Sequence, residues 1–319
     1  MRYIKYWTAF SVMGIFIASA LPAHAITAFN NNDNITVTSP SGTNNPSDIN
    51  SGSTIVDDAF LDELTFESGS STFTGSDNPS SNSFRGVQRV EVLSGREGSG
   101  TGENAANVNA EFGENDTNSD GNPTPFERIG ASNSDRESTD PDIQDPALKE
   151  ALDNRNLAEI ADGEGEQAYE LQLIFNQGIS DNDNSNDNAP EIVLFERGIN
   201  DNAIEVELIT GGTFDNPTIS GSTFSEPSSN YDDTGLNLNT DEINNAQDLG
   251  IIGLDLSEDF GLNNGETVFG VQITSTDGGA DINSALLASE NPSRFEDVPN
   301  SLSGTPVPFE AEGTMGLVA

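Results

Sequence analysis

The chain has 319 residues, with 11 Lys and Arg against 54 Asp and Glu and no Cys, so its formal net charge is −43. Such a field repels nucleic acid, anionic lipid and acidic polymers and attracts cations and basic surfaces. Without cysteine there is no disulfide framework and no thiolate nucleophile, so the fold must rely on a large apolar core.

Arg2 and Lys5 form a short basic start, an apolar run extends from Tyr6 to Leu21, and Pro22 precedes the small-x-small triplet Ala23-His24-Ala25. This pattern predicts a secretory signal peptide over residues 1–25, cleaved after Ala25, and an exported product at the cell surface or outside the cell. Cleavage removes His24, the one histidine, and Trp7, the one tryptophan. The mature chain then has neither imidazole nor thiol, which excludes Ser-His-Asp and Cys-His catalysis. A zinc site would need carboxylates alone, which is rare.

Residues 26–304 read as a single domain. Val90 and Val92 flank Glu91. Tyr169, Leu171, Leu173 and Phe175 alternate with Glu170, Gln172 and Ile174. Ile204, Val206 and Leu208 alternate with Glu205 and Glu207, and Phe269, Val271 and Ile273 alternate around Gly270 and Gln272. Period 2 predicts strands with one buried and one wet face. The continuous run Ile192-Val193-Leu194-Phe195 predicts a strand covered on both faces. Gly211-Gly212, Asn264-Gly265 and Asp277-Gly278-Gly279 read as turns between strands. Together these predict an all-β fold, an antiparallel β-sandwich or jelly roll with long acidic loops. A polar insertion at about 94–145 interrupts it. One short helix is expected near 146–161, with Asp145 as cap, Pro146 at its first position, and Leu148, Ala151 and Leu152 on one face; Leu157 and Ile160 would extend it.

Within the insertion, Asp116-Thr117-Asn118-Ser119-Asp120-Gly121, five residues and then Glu127 match the template of a calcium loop. Calcium wants six to eight oxygens. Asp116, Asn118 and Asp120 would present side-chain oxygens, Asn122 a carbonyl, Thr124 a hydroxyl or water contact, and Glu127 a bidentate carboxylate. The segments flanking this loop lack helical periodicity, so a helix–loop–helix hand is not expected. Pro123 also removes the N–H that a paired loop would use. The same stretch also reads as an acidic turn without an ion. A second cluster, Asp181 to Glu191, offers Asp181, Asp183 and Asp187 as calcium ligands or a plain loop between strands. Its Asn186-Asp187-Asn188-Ala189-Pro190 resembles the calcium linker of cadherins, although Asn184 stands where that motif wants an acid.

A pair of carboxylates could hydrolyse a glycosidic bond, but no pair is singled out by spacing. Beyond the signal peptide the chain keeps no Trp and only Tyr169 and Tyr231 among tyrosines.

Two stretches carry a family resemblance. One runs from Asn109-Ala110-Glu111-Phe112-Gly113-Glu114-Asn115-Asp116 to Pro125-Phe126. The other is Val193-Leu194-Phe195-Glu196-Arg197-Gly198, followed by Asn200-Asp201. Both resemble the exosortase-dependent, PEP-CTERM-type surface proteins of cyanobacteria, and Pro306-Val307-Pro308-Phe309-Glu310 is similar to the Pro-Phe-Glu variant of their sorting signal. The resemblance implies exosortase-type sorting machinery as a partner, with a membrane helix and a basic cluster after the signal. Met315 to Ala319 cannot supply that helix, which takes about 20 residues. Residues 305–319 are therefore read as a sorting-like tail that stops before the membrane segment, the one membrane connection expected; an ordinary Pro-rich tail is the alternative. The function expected is that of a non-enzymatic structural or adhesive protein of the surface or extracellular matrix. It would hold calcium, and cell-surface or extracellular polysaccharide is a candidate partner. The alternative is a carboxylate-based hydrolase of extracellular polysaccharide.

Overall fold

Strand alternation and one doubly apolar run build a layered all-β fold in the computed structural model. It describes residues 34–38, 59–66, 71–76, 78–95, 108–111, 140–153, 155–163, 168–181, 189–199, 204–226, 231–239, 246–275 and 280–303.

Among the described residues, sixteen strands form three antiparallel sheets. The smallest holds β1 (Asn34–Thr38), β2 (Phe60–Phe66) and β3 (Ser71–Thr74) in that order. β4 (Phe84–Arg85) and β5 (Val87–Ser94) follow, then β6 (Val108–Glu111) and β7 (Ile160–Gly163). The long strands are β8 (Tyr169–Ser180), β9 (Ile192–Arg197), β10 (Ile204–Thr213) and β11 (Asn216–Glu226). β12 (Asp232–Leu238), β13 (Gln247–Leu254), β14 (Thr267–Ser275), β15 (Ile282–Ala288) and β16 (Phe295–Glu296) complete the set. The six-stranded sheet runs β11-β10-β14-β8-β16, with β5 also paired to β8. The seven-stranded sheet runs β12-β13-β9-β15-β7-β6, with β4 paired to β15.

The seven-stranded sheet is the middle layer. Ile192, Leu194, Ile252, Leu254, Ala285 and Leu287 point into a core shared with Leu171, Leu173, Val206, Val271 and Ile273 of the six-stranded sheet. Their neighbours Val193, Phe195, Ile251 and Leu286 point the other way, against Leu61, Leu64, Phe66 and Phe73 of the three-stranded sheet. Every residue of β9 and β15 is buried, as the run Ile192 to Phe195 predicts. Fully burying one Leu, Ile or Phe contributes about 1.5–3 kcal/mol, so the two cores together stand in for absent disulfides.

The chain crosses between sheets at Gly86. β4 pairs with β15 and β5 with β8, and the one residue between them packs on the Asp153 carbonyl, where a Cβ would collide with backbone. α1 (Pro141–Leu152) covers the edge of β5. Asp140 caps it by accepting the Asp142 N–H at 3.0 Å, and Pro141 lies in its first turn. The helix thus begins before the expected Asp145-Pro146 start, because Asp140-Pro141 offers the same signal one turn earlier. Pro146 lies inside the helix, and Ile160 belongs to β7 rather than to a further helical turn. Leu148, Ala151 and Leu152 do share the buried face.

Two local expectations are corrected. Gly211-Gly212 is not the turn: the hairpin reverses at Phe214-Asp215, and the glycines sit within β10 where its register shifts. Phe269 does not share a face with Val271 and Ile273. A bulge between Val268 and Gly270 turns it outward, against Ile174, Ile209 and Phe214. That outer cluster is closed by Leu302 of the short α2 (Asn300–Ser303).

Candidate ligand-binding face and buried ionic clasp

Of the residues expected to hold calcium, Asp116, Asn118, Asp120, Asn122, Thr124 and Glu127 lie outside the described residues, as do Asp183 and Asp187. Asp181 is described. It follows β8, is 3% exposed, and its carbonyl accepts the Gly265 N–H at 3.1 Å. Among the described residues no group of three or more His, Cys, Asp or Glu is arranged to hold a metal ion.

Asp181 joins a clasp at one end of the sandwich. Glu191, just before β9, accepts the Leu256 N–H at 3.3 Å and faces Arg294, whose Nη2 donates to Glu191 Oε1 at 3.2 Å and to the Ser180 carbonyl at 2.8 Å. Arg294 thereby bridges the two large sheets, since Ser180 ends β8 and Glu191 precedes β9. Asp255 turns the chain after β13, accepting the N–H groups of Ser257 and Glu258, each at 2.8 Å. Burial pushes the Glu191 carboxyl up to about 8; the charges of Asp255 and Asp181 add to this, while Arg294 and the Leu256 N–H oppose it. Proximity of one arginine to several buried acids is a tertiary fact. Asp181 alone was legible as a candidate, through its acidic neighbours in sequence.

The other site is the outer face of the six-stranded sheet. With Val206, Leu208, Leu171, Leu173, Val271 and Ile273 in the core, the intervening side chains must face outward. Register then aligns Glu91 with Gln172, Gln172 with Gln272, and Gln272 with Glu207. Four neighbouring strands therefore carry one polar row, about 14 Å long at the usual strand spacing, in which Gln172 is buried and Glu91, Gln272 and Glu207 are half-buried. Beside it Glu170, Thr274 and Glu205 form a second row. Gln272 donates to Gln172 at 3.5 Å, and Thr223 donates to Glu207 at 3.2 Å. The tip of the β10–β11 hairpin curls back over this face. Gln172 donates to the Phe214 carbonyl at 2.8 Å, and the Arg89 guanidinium lies 3.2 Å from the centroid of the Phe214 ring.

Where the tip meets β5 and the start of α1, a cleft of about 400 Å³ opens, sharing Glu91 with the polar row. Sequence alternation turns Glu91, Glu205 and Glu207 outward, and the structure leaves them half-buried. Alignment into rows depends on register, and the return of Phe214 depends on the hairpin's twist, so neither was readable from spacing. The Phe-Glu-Arg-Gly stretch has a structural part here. Arg197 is 1% exposed and donates to the Leu238 carbonyl at 3.3 Å, Glu196 accepts the Ile199 N–H at 2.9 Å, and Gly198 adopts φ 107°.

No family model, curated protein or solved structure matches the chain.

Proposed function

We propose that this chain is an exported, non-enzymatic adhesive or structural protein of the cell surface or extracellular matrix that holds polysaccharide on the outer face of its six-stranded sheet. Its acidic loops would hold calcium, and exosortase-type machinery would sort it, as the resemblance to cyanobacterial surface proteins implies. The observation that carries the reading is the pair of polar rows on that face: Glu91, Gln272 and Glu207 about the buried Gln172, with Glu170, Thr274 and Glu205 beside them. A sugar hydroxyl both donates and accepts a hydrogen bond. Amides supply donors and acceptors, and carboxylates supply acceptors. Strands hold these groups at fixed spacing, so little ordering cost remains on binding.

Co-sedimentation of the purified chain with insoluble polysaccharides tests this. The parent is expected in the pellet, and the double substitution Gln272→Ala with Glu207→Ala is expected to shift it to the supernatant. A parent that stays soluble with every polymer would count against the proposal.

A second reading, a carboxylate hydrolase, has one favourable observation. Glu205 and Glu207 point outward from the same strand, two residues or about 7 Å apart along it. That spacing is near the separation of about 6.5–9.5 Å found between the carboxylates of inverting glycosidases. Release of reducing ends that Glu205→Gln abolishes would favour this alternative.

A further inference from the structure

The cleft beside the polar row has a lining of its own. Gln88, Arg89 and Glu91 come from β5, Asp142 and Lys149 from α1, and Asp215 from the hairpin tip. Its volume of about 400 Å³ sits at the small end of ligand pockets, about 300–1,000 Å³. That suits one or two sugar rings rather than a long chain segment.

The charges in it are unevenly free. Arg89 is stacked on Phe214, and Lys149 is paired with Asp153 one turn along the helix. Asp145 accepts the Val92 N–H at 3.3 Å. Asp142 and Asp215 are exposed. Carboxylates outnumber cations in the lining, Glu91, Asp142, Asp145 and Asp215 against Arg89 and Lys149. Arg89 and Lys149 keep further N–H donors, and the Gln88 amide nitrogen is buried and makes no hydrogen bond among the described residues. A buried donor left unpaired costs free energy, which a ligand acceptor placed there would offset. Apolar surface comes from the exposed rings of Pro141 and Pro146, which also line the cleft. They offer C–H faces suited to a sugar ring, and they give Pro146 a role that its place inside the helix does not.

Acceptors and donors facing hydroxyls, one buried unpaired donor among them, and two proline rings describe a site for an uncharged polyol. The same excess of carboxylates repels a ligand that brings its own negative charge. We infer that this cleft binds one or two neutral, hydroxyl-rich sugar units and discriminates against uronic-acid and sulfated ones. The inference rests on the polysaccharide reading above and names the substrate class of the site next to that face.

Calorimetric titration of the full chain with cellobiose, maltose and digalacturonate tests it, with polymer co-sedimentation run in parallel. At least one neutral disaccharide is expected to bind, and digalacturonate about fivefold or more weaker, the effect of one close like-charge contact in water. Asp215→Ala, on an exposed turn, and Gln88→Leu should each weaken the neutral ligand by about three- to tenfold, the loss of one hydrogen bond. Thermal melts of both variants show whether they remain folded. Digalacturonate binding as tightly as the neutral sugars would overturn the inference, as would neutral binding that Asp215→Ala leaves intact. If polymer sediments with the chain but no disaccharide binds, the cleft inference fails while the polysaccharide reading stands. If neither binds, both fail.

Discussion

At the scale of single residues, Glu191 shows how burial converts an ordinary acid into a titrating structural group. Its carboxyl is raised from 4.5 to about 8, chiefly by burial. The folded chain thus holds this proton more tightly than the unfolded chain does. The group's contribution is fully present below the unfolded value and is lost as pH rises through about 8. Glu191→Gln removes that loss. Denaturant titrations of parent and variant, run at intervals from pH 5 to 8, should therefore diverge in favour of the variant as pH rises. The divergence should approach about 1.4 kcal/mol per pH unit. A stability difference that does not change with pH would show that Glu191 is already ionised in the folded chain. Asp181 was visible in the sequence as one acid among many. Its meeting with Glu191, Asp255 and Arg294 was not visible, because those groups come together only when the ends of β8, β9, β13 and β15 converge.

At the scale of elements, sequence alternation and structure agree wherever one face meets a core. Val90, Val92, Val206 and Leu208 are buried as their period 2 requires, and Ile192 to Phe195 is covered on both faces. Disagreement arises where a bulge or a third layer changes the rule. The bulge beside Phe269 reverses its face, and Ile174, on the nominally wet side of β8, is buried beneath Phe214 and Leu302. Neither the β-bulge nor the folded-back hairpin has a signature in residue spacing, since both depend on pairing partners distant in sequence. Gly86 marks another element-scale feature, the corner where the chain leaves one sheet for the other. Gly86→Ala would force the Asp153 backbone away and is expected to cost about 1–3 kcal/mol, the range for overpacking. Gly211→Ala, whose added methyl would meet only ordinary contacts at 4.0 Å, should change stability by less than about 0.5 kcal/mol. Chemical denaturation of the two variants tests this, and equal effects would mean the corner tolerates a side chain.

At the scale of the whole molecule, charge and layering act against each other. A formal charge of −43 opposes compaction through self-repulsion, while two apolar cores on either side of the seven-stranded sheet favour it. Bound calcium would relieve part of that repulsion. If the Asp116–Glu127 loop holds an ion in the native state, millimolar calcium should raise the melting temperature. Asp116→Ala with Asp120→Ala should remove much of the rise. Sodium chloride at equal ionic strength should not reproduce it, and full reproduction by that salt would reduce the effect to screening. The fold class was legible in full, because it rests on strand period and turn residues. The candidate face was legible only in part: Glu91, Glu205 and Glu207 could be placed on the outward side of their strands, but not as parts of adjoining polar rows, nor could the burial of Gln172 between them be foreseen.

The central claim is that polysaccharide lies along those rows. Carbodiimide labelling of carboxylates, read by mass spectrometry with and without bound polymer, tests it residue by residue. Glu91, Glu170, Glu205 and Glu207 share the outer face of the six-stranded sheet, while Glu63 lies on β2 in another layer. The account predicts that polymer protects the first four and leaves Glu63 labelled as before. Protection of Glu63 with the sheet-face carboxylates still labelled would place the polymer elsewhere and contradict it.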